Sequence, residues 1–118
     1  MHSLQEMLAC SNERRIEMFA DIIKQEAKIW ILSDNDGAVM LVSEDEDCIP
    51  VWPTKEAALL WRSDEWSHCE AIAINQKDWL AKWTNGLLQD DICIAVFPIT
   101  GQDGLVTFAD EFESKYLR

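Results

Sequence analysis

The spacing of the apolar residues changes near Lys28, and this change most restricts the possible folds. Before it, apolar residues recur three and four positions apart, which is typical of one stripe along an amphipathic helix. The stripe comprises Ile16, Phe19, Ala20, Ile23 and Ala27. After it come two runs rich in β-branched residues, KIWIL and AVMLV, separated by SDNDG. A switch from a helical to a strand period predicts that helices and strands share one fold.

The two runs around SDNDG predict a β-hairpin, with Gly37 supplying a positive φ at the turn. CIPVW predicts a third strand. Pro50 places that strand at a sheet edge or at a bulge, because proline cannot donate a ladder hydrogen bond. EAIAI, DICIAVF and LVTF predict three further strands. DICIAVF is the most apolar of them and is expected at the centre of a sheet.

Capping residues predict the helices between these strands. Thr54 is expected to begin one helix, and Asn75, with Asp78 three residues later, the next. The prediction is a single α+β domain over residues 1–118, in which residues 1–14 form a helical extension that can fray. Its mixed β-sheet has about six strands, with an N-terminal meander, a C-terminal hairpin and strand-helix-strand crossovers between them, and three to four helices pack on it.

The formal net charge of −12 is confined to two stretches of the chain. Six acidic residues and no lysine or arginine lie between Lys28 and Lys55, and the same holds between Lys82 and Lys115. Nucleic acids and anionic membranes require the opposite sign of charge, so both are disfavoured as partners. Because both stretches coincide with predicted hairpins, the excess negative charge is expected on the turns and edges of the sheet.

No motif identifies a catalytic site, a metal site or a cofactor. DNDG begins like a calcium loop, but position 12 counted from Asp34 is Asp45 and the residues between them predict a strand. His68 and Cys69 are adjacent, and neighbouring side chains on a strand point to opposite faces, which disfavours a Cys–His dyad. The four cysteines form no CxxC pair and are expected to be reduced and mostly buried. The sequence does not decide whether the chain is an enzyme, but the lack of such motifs favours a protein without enzymatic activity.

The expected location is the cytoplasm. No apolar run approaches the ~18 residues of a membrane span. The first ten residues also lack the basic head and the long apolar middle of a signal peptide.

Six of the 118 residues are tryptophan, and large aromatic side chains are frequent anchors of protein interfaces. Three of them fall on strand or helix stripes and are expected in the core: Trp30, Trp61 and Trp83. Trp52 and Trp66 are candidates for one exposed groove, or alternatively for covering the sheet edge. Trp79 fits either interpretation.

Several motifs resemble those of a known family. VWP is followed by EAALLW, then EW, DWLAKW and AVFP, in the manner of small bacterial proteins catalogued as domain of unknown function 2750. IWILSDNDG is similar to the start of that family, and the likeness spans residues 15–117. These motifs are apolar and structural, so they specify a fold better than a site. The family has no assigned activity, and the resemblance therefore implies a bacterial, cytoplasmic, single-domain protein and no catalytic residue.

The leading functional hypothesis is a non-enzymatic protein-binding module, similar in physical form to an immunity protein or inhibitor, that meets a basic partner protein. An acidic surface steers a basic partner and accelerates association. The candidate partner-binding residues are Glu44, Asp45, Glu46, Asp47, Trp52, Trp66, Asp90, Asp91 and Asp103. The alternative for the run 44–47 is a solvated turn.

Two other hypotheses remain from the sequence. One is a small-molecule sensor or enzyme with a pocket near Trp52, Trp66 and His68. The other is a housekeeping homodimer that pairs through the edge strand containing Pro50.

Overall fold

The computed structural model describes residues 4–34, 37–43, 46–61, 68–99 and 104–117. Its radius of gyration is 13.1 Å, close to the ~13.5 Å expected for one compact body of this length. The helices of the described residues are α1 (Leu4–Ala9), α2 (Asn12–Glu26), α3 (Lys55–Trp61), α4 (residues 76–89) and α5 (residues 109–117). The strands are β1 (Lys28–Asp34), β2 (Gly37–Ala38), β3 (Leu41–Ser43), β4 (Glu46–Val51), β5 (Glu70–Asn75), β6 (Cys93–Val96) and β7 (Leu105–Thr107).

Helix α2 begins and ends with local capping bonds. Ser11 and Asn12 are both residue types that commonly begin a helix, and the Ser11 side chain accepts a hydrogen bond from the backbone N–H of Arg14 at 3.2 Å, which makes Ser11 the cap. At the other end Ala27 is left-handed, with φ 55, and its N–H donates to the Ile23 carbonyl at 2.8 Å. Ala27 therefore ends the helix and is exposed, whereas the apolar spacing predicted it on the buried stripe.

The α+β class is confirmed, but the strands form two sheets instead of one. The first has the order β2-β1-β5 and is antiparallel. The second has the order β3-β4-β6-β7, in which only β4 and β6 are parallel. Backbone bonds between Trp30 and Trp52, at 3.0 and 2.9 Å, join β1 to the end of β4. AVMLV is divided, since its first residues pair with β1 and its last with β4.

The predicted edge position of Pro50 is wrong, because β4 lies between β3 and β6. The Val51 carbonyl accepts from the N–H of Phe97 at 2.8 Å, so the backbone of Val51 faces β6 and that of Pro50 faces the other side. On that side β3 reaches only to Cys48 and β1 joins only at Trp52. Pro50 occupies the gap between them, where no ladder needs its missing N–H.

The parallel pair β4 and β6 is buried on both faces. On one face Ile49 and Ile94 join the main core, which includes Phe19 of α2. On the other face Cys48 and Cys93 form a small separate cluster with Ala95. Each fully buried aliphatic side chain contributes about 1.5–3 kcal/mol, so this pair anchors the fold. The predicted central position of DICIAVF is confirmed.

Helix α4 starts at its predicted cap and contains a wide turn. The Asn75 side chain accepts from the N–H of Asp78 at 2.8 Å. Further along, the N–H of Thr84 bonds to the carbonyl of Trp79, five residues earlier, which is the π-helical pattern. This turn places the rings of Trp79 and Trp83 in a stack, with centroids 5.2 Å apart.

Helices α1 and α5 close the core from the two ends of the chain. Met7 of α1 is only 1% exposed and belongs to the main core, so the first helix is anchored to the domain. Phe112 and Tyr116 lie on one face of α5, with ring centroids 5.1 Å apart. The Tyr116 ring meets Phe19 edge-on at 5.5 Å.

Candidate functional site

The parallel pairing of β4 and β6 brings two distant acidic segments to one end of a sheet. Cys48 and Cys93 are register partners, so the residues before them on both strands lie at the same end. Those residues include four carboxylates, which are exposed: Glu46, Asp47, Asp90 and Asp91. We call these four residues the acidic end. Of the 42 residues between the two segments, 27 form α3, β5 and α4, so only the folded chain brings the segments together.

The negative charge of the acidic end affects the pKa of the buried Cys93 thiol. Burial raises the pKa of the Cys93 thiol above its ordinary value of 9.0, and the carboxylates of Glu46 and Asp91 raise it further. One carboxylate comes from β4 and the other from the turn before β6. Both therefore lie within electrostatic reach of a single buried group.

An apolar hollow of about 290 Å³ opens beside the acidic end. It is lined by Met40, Lys82, Trp83, Gly86, Leu87, Asp90 and Ile92. The charged side chains among these residues are Asp90, which belongs to the acidic end, and Lys82. The hollow thus combines apolar walls with one charged side chain of each sign, and interfaces likewise combine an apolar centre with a polar rim.

Exposed apolar side chains extend this surface along β3. Met40 is 41% exposed and Val42 is 75% exposed. Val42 is the register partner of Asp47, so this large apolar side chain stands directly opposite a carboxylate. Trp83 is half-buried, and its stacking on the fully buried Trp79 holds the ring in place. A rigid, partly exposed indole is a favourable anchor for a partner.

The candidate residues from the sequence have different outcomes. Glu46, Asp47, Asp90 and Asp91 lie together at the acidic end. Glu44, Asp45, Trp66 and Asp103 lie outside the described residues. Trp52 does not belong to an exposed surface.

Trp52 is a core residue. Its side chain is 0% exposed, its Nε1 donates to the Pro98 carbonyl at 2.9 Å, and its ring lies 5.3 Å from that of Trp61. A partner cannot reach such a side chain. The prediction of an exposed groove at Trp52 is wrong, because the backbone bridge to Trp30 holds this segment inside the fold.

Trp83 was missed as a surface residue because its helical spacing matched the apolar stripe of α4. The nearby residues Lys82 and Gly86 are not part of the apolar stripe, and they indicated that Trp83 lies close to the solvent-facing side of the helix. The wide turn in α4 rotates successive residues relative to a regular α-helix. Spacing alone therefore could not separate the buried Trp79 from the half-buried Trp83.

A second, larger hollow of about 540 Å³ lies between α2, β1 and the start of α3. Its lining is Asp21, Ile22, Lys24, Gln25, Glu26, Lys28, Trp30, Pro53, Thr54, Lys55 and Glu56. Among the described residues, Lys24, Lys28 and Lys55 form no ion pair within 4.0 Å. This groove lies beside the Trp30–Trp52 bridge. Of the other residues named for a pocket, His68 is exposed and Trp66 is outside the described residues.

Arg15 was also missed, and its role is structural. The residue is 0% exposed, its Nη2 donates to Asn12 Oδ1 at 2.9 Å, and its guanidinium lies 5.9 Å from the centre of the Phe97 ring. Burial lowers the pKa of the Arg15 guanidinium. Phe97 itself has a positive φ of 50, which ends β6. Arg15 thus joins the start of α2 to the end of the central strand.

The described residues contain neither a metal-binding cluster nor a membrane-spanning helix. Within the described ranges, no group of three or more His, Cys, Asp or Glu side chains is placed to hold a metal ion. The described helices include none with the length and hydropathy needed to cross a bilayer. All four cysteines are free thiols, three of them buried, as the sequence predicted.

Comparison with known proteins gives one match. Neither the curated proteins nor the solved structures contain a significant match to this chain. A family model described as "Protein of unknown function (DUF2750)" matches residues 16–115. The match covers most of the chain and nearly the same residues as the motif resemblance. The chain belongs to this family of unknown function.

Proposed function

We propose that the protein is a protein-binding module whose acidic end and adjacent apolar hollow receive a basic segment of a partner protein. The observation that carries this proposal is the parallel register of β4 and β6. It places carboxylates from two segments beside an opening lined by Met40 and Trp83. The proposal keeps the four acidic candidates that the structure describes, which form the acidic end, and replaces Trp52 with Trp83 as the aromatic anchor.

In this proposal the charge of the acidic end and the shape of the hollow affect different steps of binding. The carboxylates attract a cationic partner and orient it during approach, which raises the association rate more than the final affinity. The hollow then accepts one apolar side chain of the partner, which slows dissociation. With a net charge of −12, the whole chain contributes to the long-range attraction.

The test compares two variants of equal net charge. The first carries Glu46→Gln, Asp47→Asn, Asp90→Asn and Asp91→Asn. The second carries four neutralised carboxylates away from the site: Glu13→Gln, Glu26→Gln, Glu56→Gln and Asp78→Asn. Neutralising four carboxylates brings either chain from −12 to −8, so the two differ only in where the charge is removed.

Both variants and the native chain serve as baits for proteins of the native host. A specific partner is retained by the native chain and by the second variant, and is lost with the first. With that partner purified, the first variant should associate at least about tenfold more slowly at low ionic strength and show a weaker dependence on salt. Trp83→Ala should mainly raise the dissociation rate. If every retained protein binds both charge variants alike, the acidic end is not the binding surface.

A second candidate function is supported by the groove between α2, β1 and α3. Its volume of about 540 Å³ lies within the range of small-molecule sites, about 300–1,000 Å³. Its lining combines the half-buried Trp30 ring with side chains of both charges, which suits a small zwitterionic or charged metabolite. A metabolite that raises the melting temperature of the native chain, and not of the Lys24→Gln, Lys28→Gln, Lys55→Gln variant, would support this function.

A further inference from the structure

Among the described strands, β5 lies at the edge of its sheet and carries little charge. It is hydrogen-bonded to β1 on one side, and in the described part of the chain no strand pairs with its other side. The segment from Ala71 to Ile74 has no charged residue. Ile72 at its centre is 40% exposed. A six-residue edge with an exposed aliphatic side chain and no charge at its centre is a template for pairing with another strand.

The hydrogen bonds of β1 show which groups of β5 point outward. The N–H of Gln76 donates to the carbonyl of Ala27 at 2.8 Å, so Gln76 faces β1. The direction alternates along a strand, hence Ile72 and Ile74 also face β1. Ala71 and Ala73 direct their N–H and C=O groups to the open side.

These directions restrict how a second β5 strand can pair. In an antiparallel pair, the residues that exchange hydrogen bonds must both point toward the partner. Ala71 of one copy can face Ala73 of the other, and the reverse pair then follows by symmetry. The two pairs supply four hydrogen bonds, and Ile72 faces Ile72 of the second copy on the twofold axis.

We propose that the chain forms a homodimer through β5, with antiparallel pairing centred on Ile72. The two three-stranded sheets then become one six-stranded sheet. The charges permit this register, because Glu70 lies opposite Ile74 of the second copy and no two acidic residues of the paired strands face each other. The two exposed Ile72 side chains bury each other at the axis, where opposite Cα atoms of an antiparallel pair are about 4.5 Å apart.

A second copy suits this edge because, in this register, the uncharged residues Ala71, Ile72 and Ala73 lie opposite the same three residues of the other copy. The exposed Ile72 side chains then meet each other, and no two charged side chains of the paired strands are brought together. The overlap is short compared with standard interfaces of about 1,200–2,000 Å². The acidic chains also repel each other, so the dimer should be weak at low salt and should strengthen as salt screens the charges. Binding of a basic partner to the acidic end has the opposite salt dependence.

Sedimentation velocity of the full chain tests the dimer from about 10 μM to 1 mM, a range suited to a weak complex. The dimer fraction should rise with concentration, and more so in 0.5 M than in 0.05 M sodium chloride. Ile72→Lys places two ammonium groups on the axis and should leave a monomer. Val42→Lys is the matched control, since Val42 is exposed on the edge strand β3, and it should leave the dimer intact.

Cross-linking tests the register without relying on affinity. Ile72→Cys should form a disulfide-linked dimer under mild oxidation with copper phenanthroline, because the Cα spacing on the axis suits a disulfide. Val42→Cys should give no more cross-linked dimer than the native chain, which has four cysteines of its own. A chain that is monomeric at every concentration and salt, or a dimer that survives Ile72→Lys, would overturn the proposal.

Discussion

Cys48 and Cys93 are register partners in neighbouring parallel strands, so their side chains share one face of the sheet. Both are buried, at 0% and 4% exposure, and two carboxylates of the acidic end lie near the Cys93 thiol. Burial and these charges raise the pKa of Cys93. The thiolate is the reactive form of cysteine, so the acidic end also keeps this thiol protonated and unreactive.

Removing the two carboxylates should make Cys93 easier to ionise. In a variant with Glu46→Gln and Asp91→Asn, the pKa of Cys93 should fall, because two of the causes that raise it are removed. The pH dependence of Cys93 alkylation by iodoacetamide, followed by mass spectrometry, measures the shift. The variant Glu26→Gln with Asp78→Asn loses equal charge elsewhere and should match the native profile. An unchanged midpoint in the first variant would contradict this placement of the acidic end.

The chain should lose stability in alkaline solution. Burial raises the pKa of the Tyr116 hydroxyl above 10.0, and the pKa of Cys93 lies above 9.0. Between the unfolded and folded pKa values the unfolded chain binds fewer protons, so the free energy of unfolding falls as pH rises. Urea titrations from pH 7 to 11 should show this decline. The variant Cys93→Ala with Tyr116→Phe should show a smaller decline, and an equal one would assign the loss to other groups.

Replacement of Trp52 should lower the free energy of unfolding more than replacement of Trp83. Trp52→Phe leaves the Pro98 carbonyl without the 2.9 Å bond and opens a cavity, which should lower the free energy of unfolding by about 2–3 kcal/mol. Trp83→Phe alters a half-buried ring and should cost about 1 kcal/mol or less. Urea unfolding compares the two. Equal costs would mean that Trp83 is as much a core residue as Trp52.

Replacing Gly104 and Gly86 by alanine should change the free energy of unfolding in opposite directions. Gly104 has φ +78, and an added Cβ would collide with the Val96 carbonyl and lie 3.0 Å from the Pro98 nitrogen. Gly104→Ala should therefore destabilise the fold by at least about 2 kcal/mol. Gly86 lies in α4, and a Cβ there meets nothing within 4 Å. Gly86→Ala should stabilise by about 0.5–1 kcal/mol. Thermal unfolding of both variants checks the pair, and a stabilising Gly104→Ala would contradict the turn geometry.

The helices and their ends could be predicted from the sequence because they depend on near neighbours. Ser11, Thr54 and Asn75 each accept a backbone hydrogen bond from a residue three positions later. The spacing of Ile16, Phe19 and Ile23 likewise identifies the buried face of α2. These features lie within a few residues of each other and follow from the geometry of one helical turn.

The family and the class of fold also followed from local motifs. The strands were found where β-branched residues cluster, and the most apolar one is central. The division of the strands between two sheets was not predicted, because AVMLV has the same local pattern whether its ends pair with one strand or with two.

Local patterns in the sequence are enough to predict the helix caps, most of the strands, the family and the excess of negative charge. Which distant segments meet, and therefore where the candidate site lies, depends on long-range contacts in the folded chain. Pro50 is tolerated inside a sheet because, along the same edge of β4, β3 pairs only as far as Cys48 and β1 only at Trp52. No described strand therefore lies opposite the Pro50 nitrogen. Trp52 is buried because β1 pairs with it across 22 positions. Glu46 and Asp91 are neighbours because β4 and β6 run parallel. Strand pairing and burial are set by contacts between residues far apart in the chain, and no local pattern contains that information.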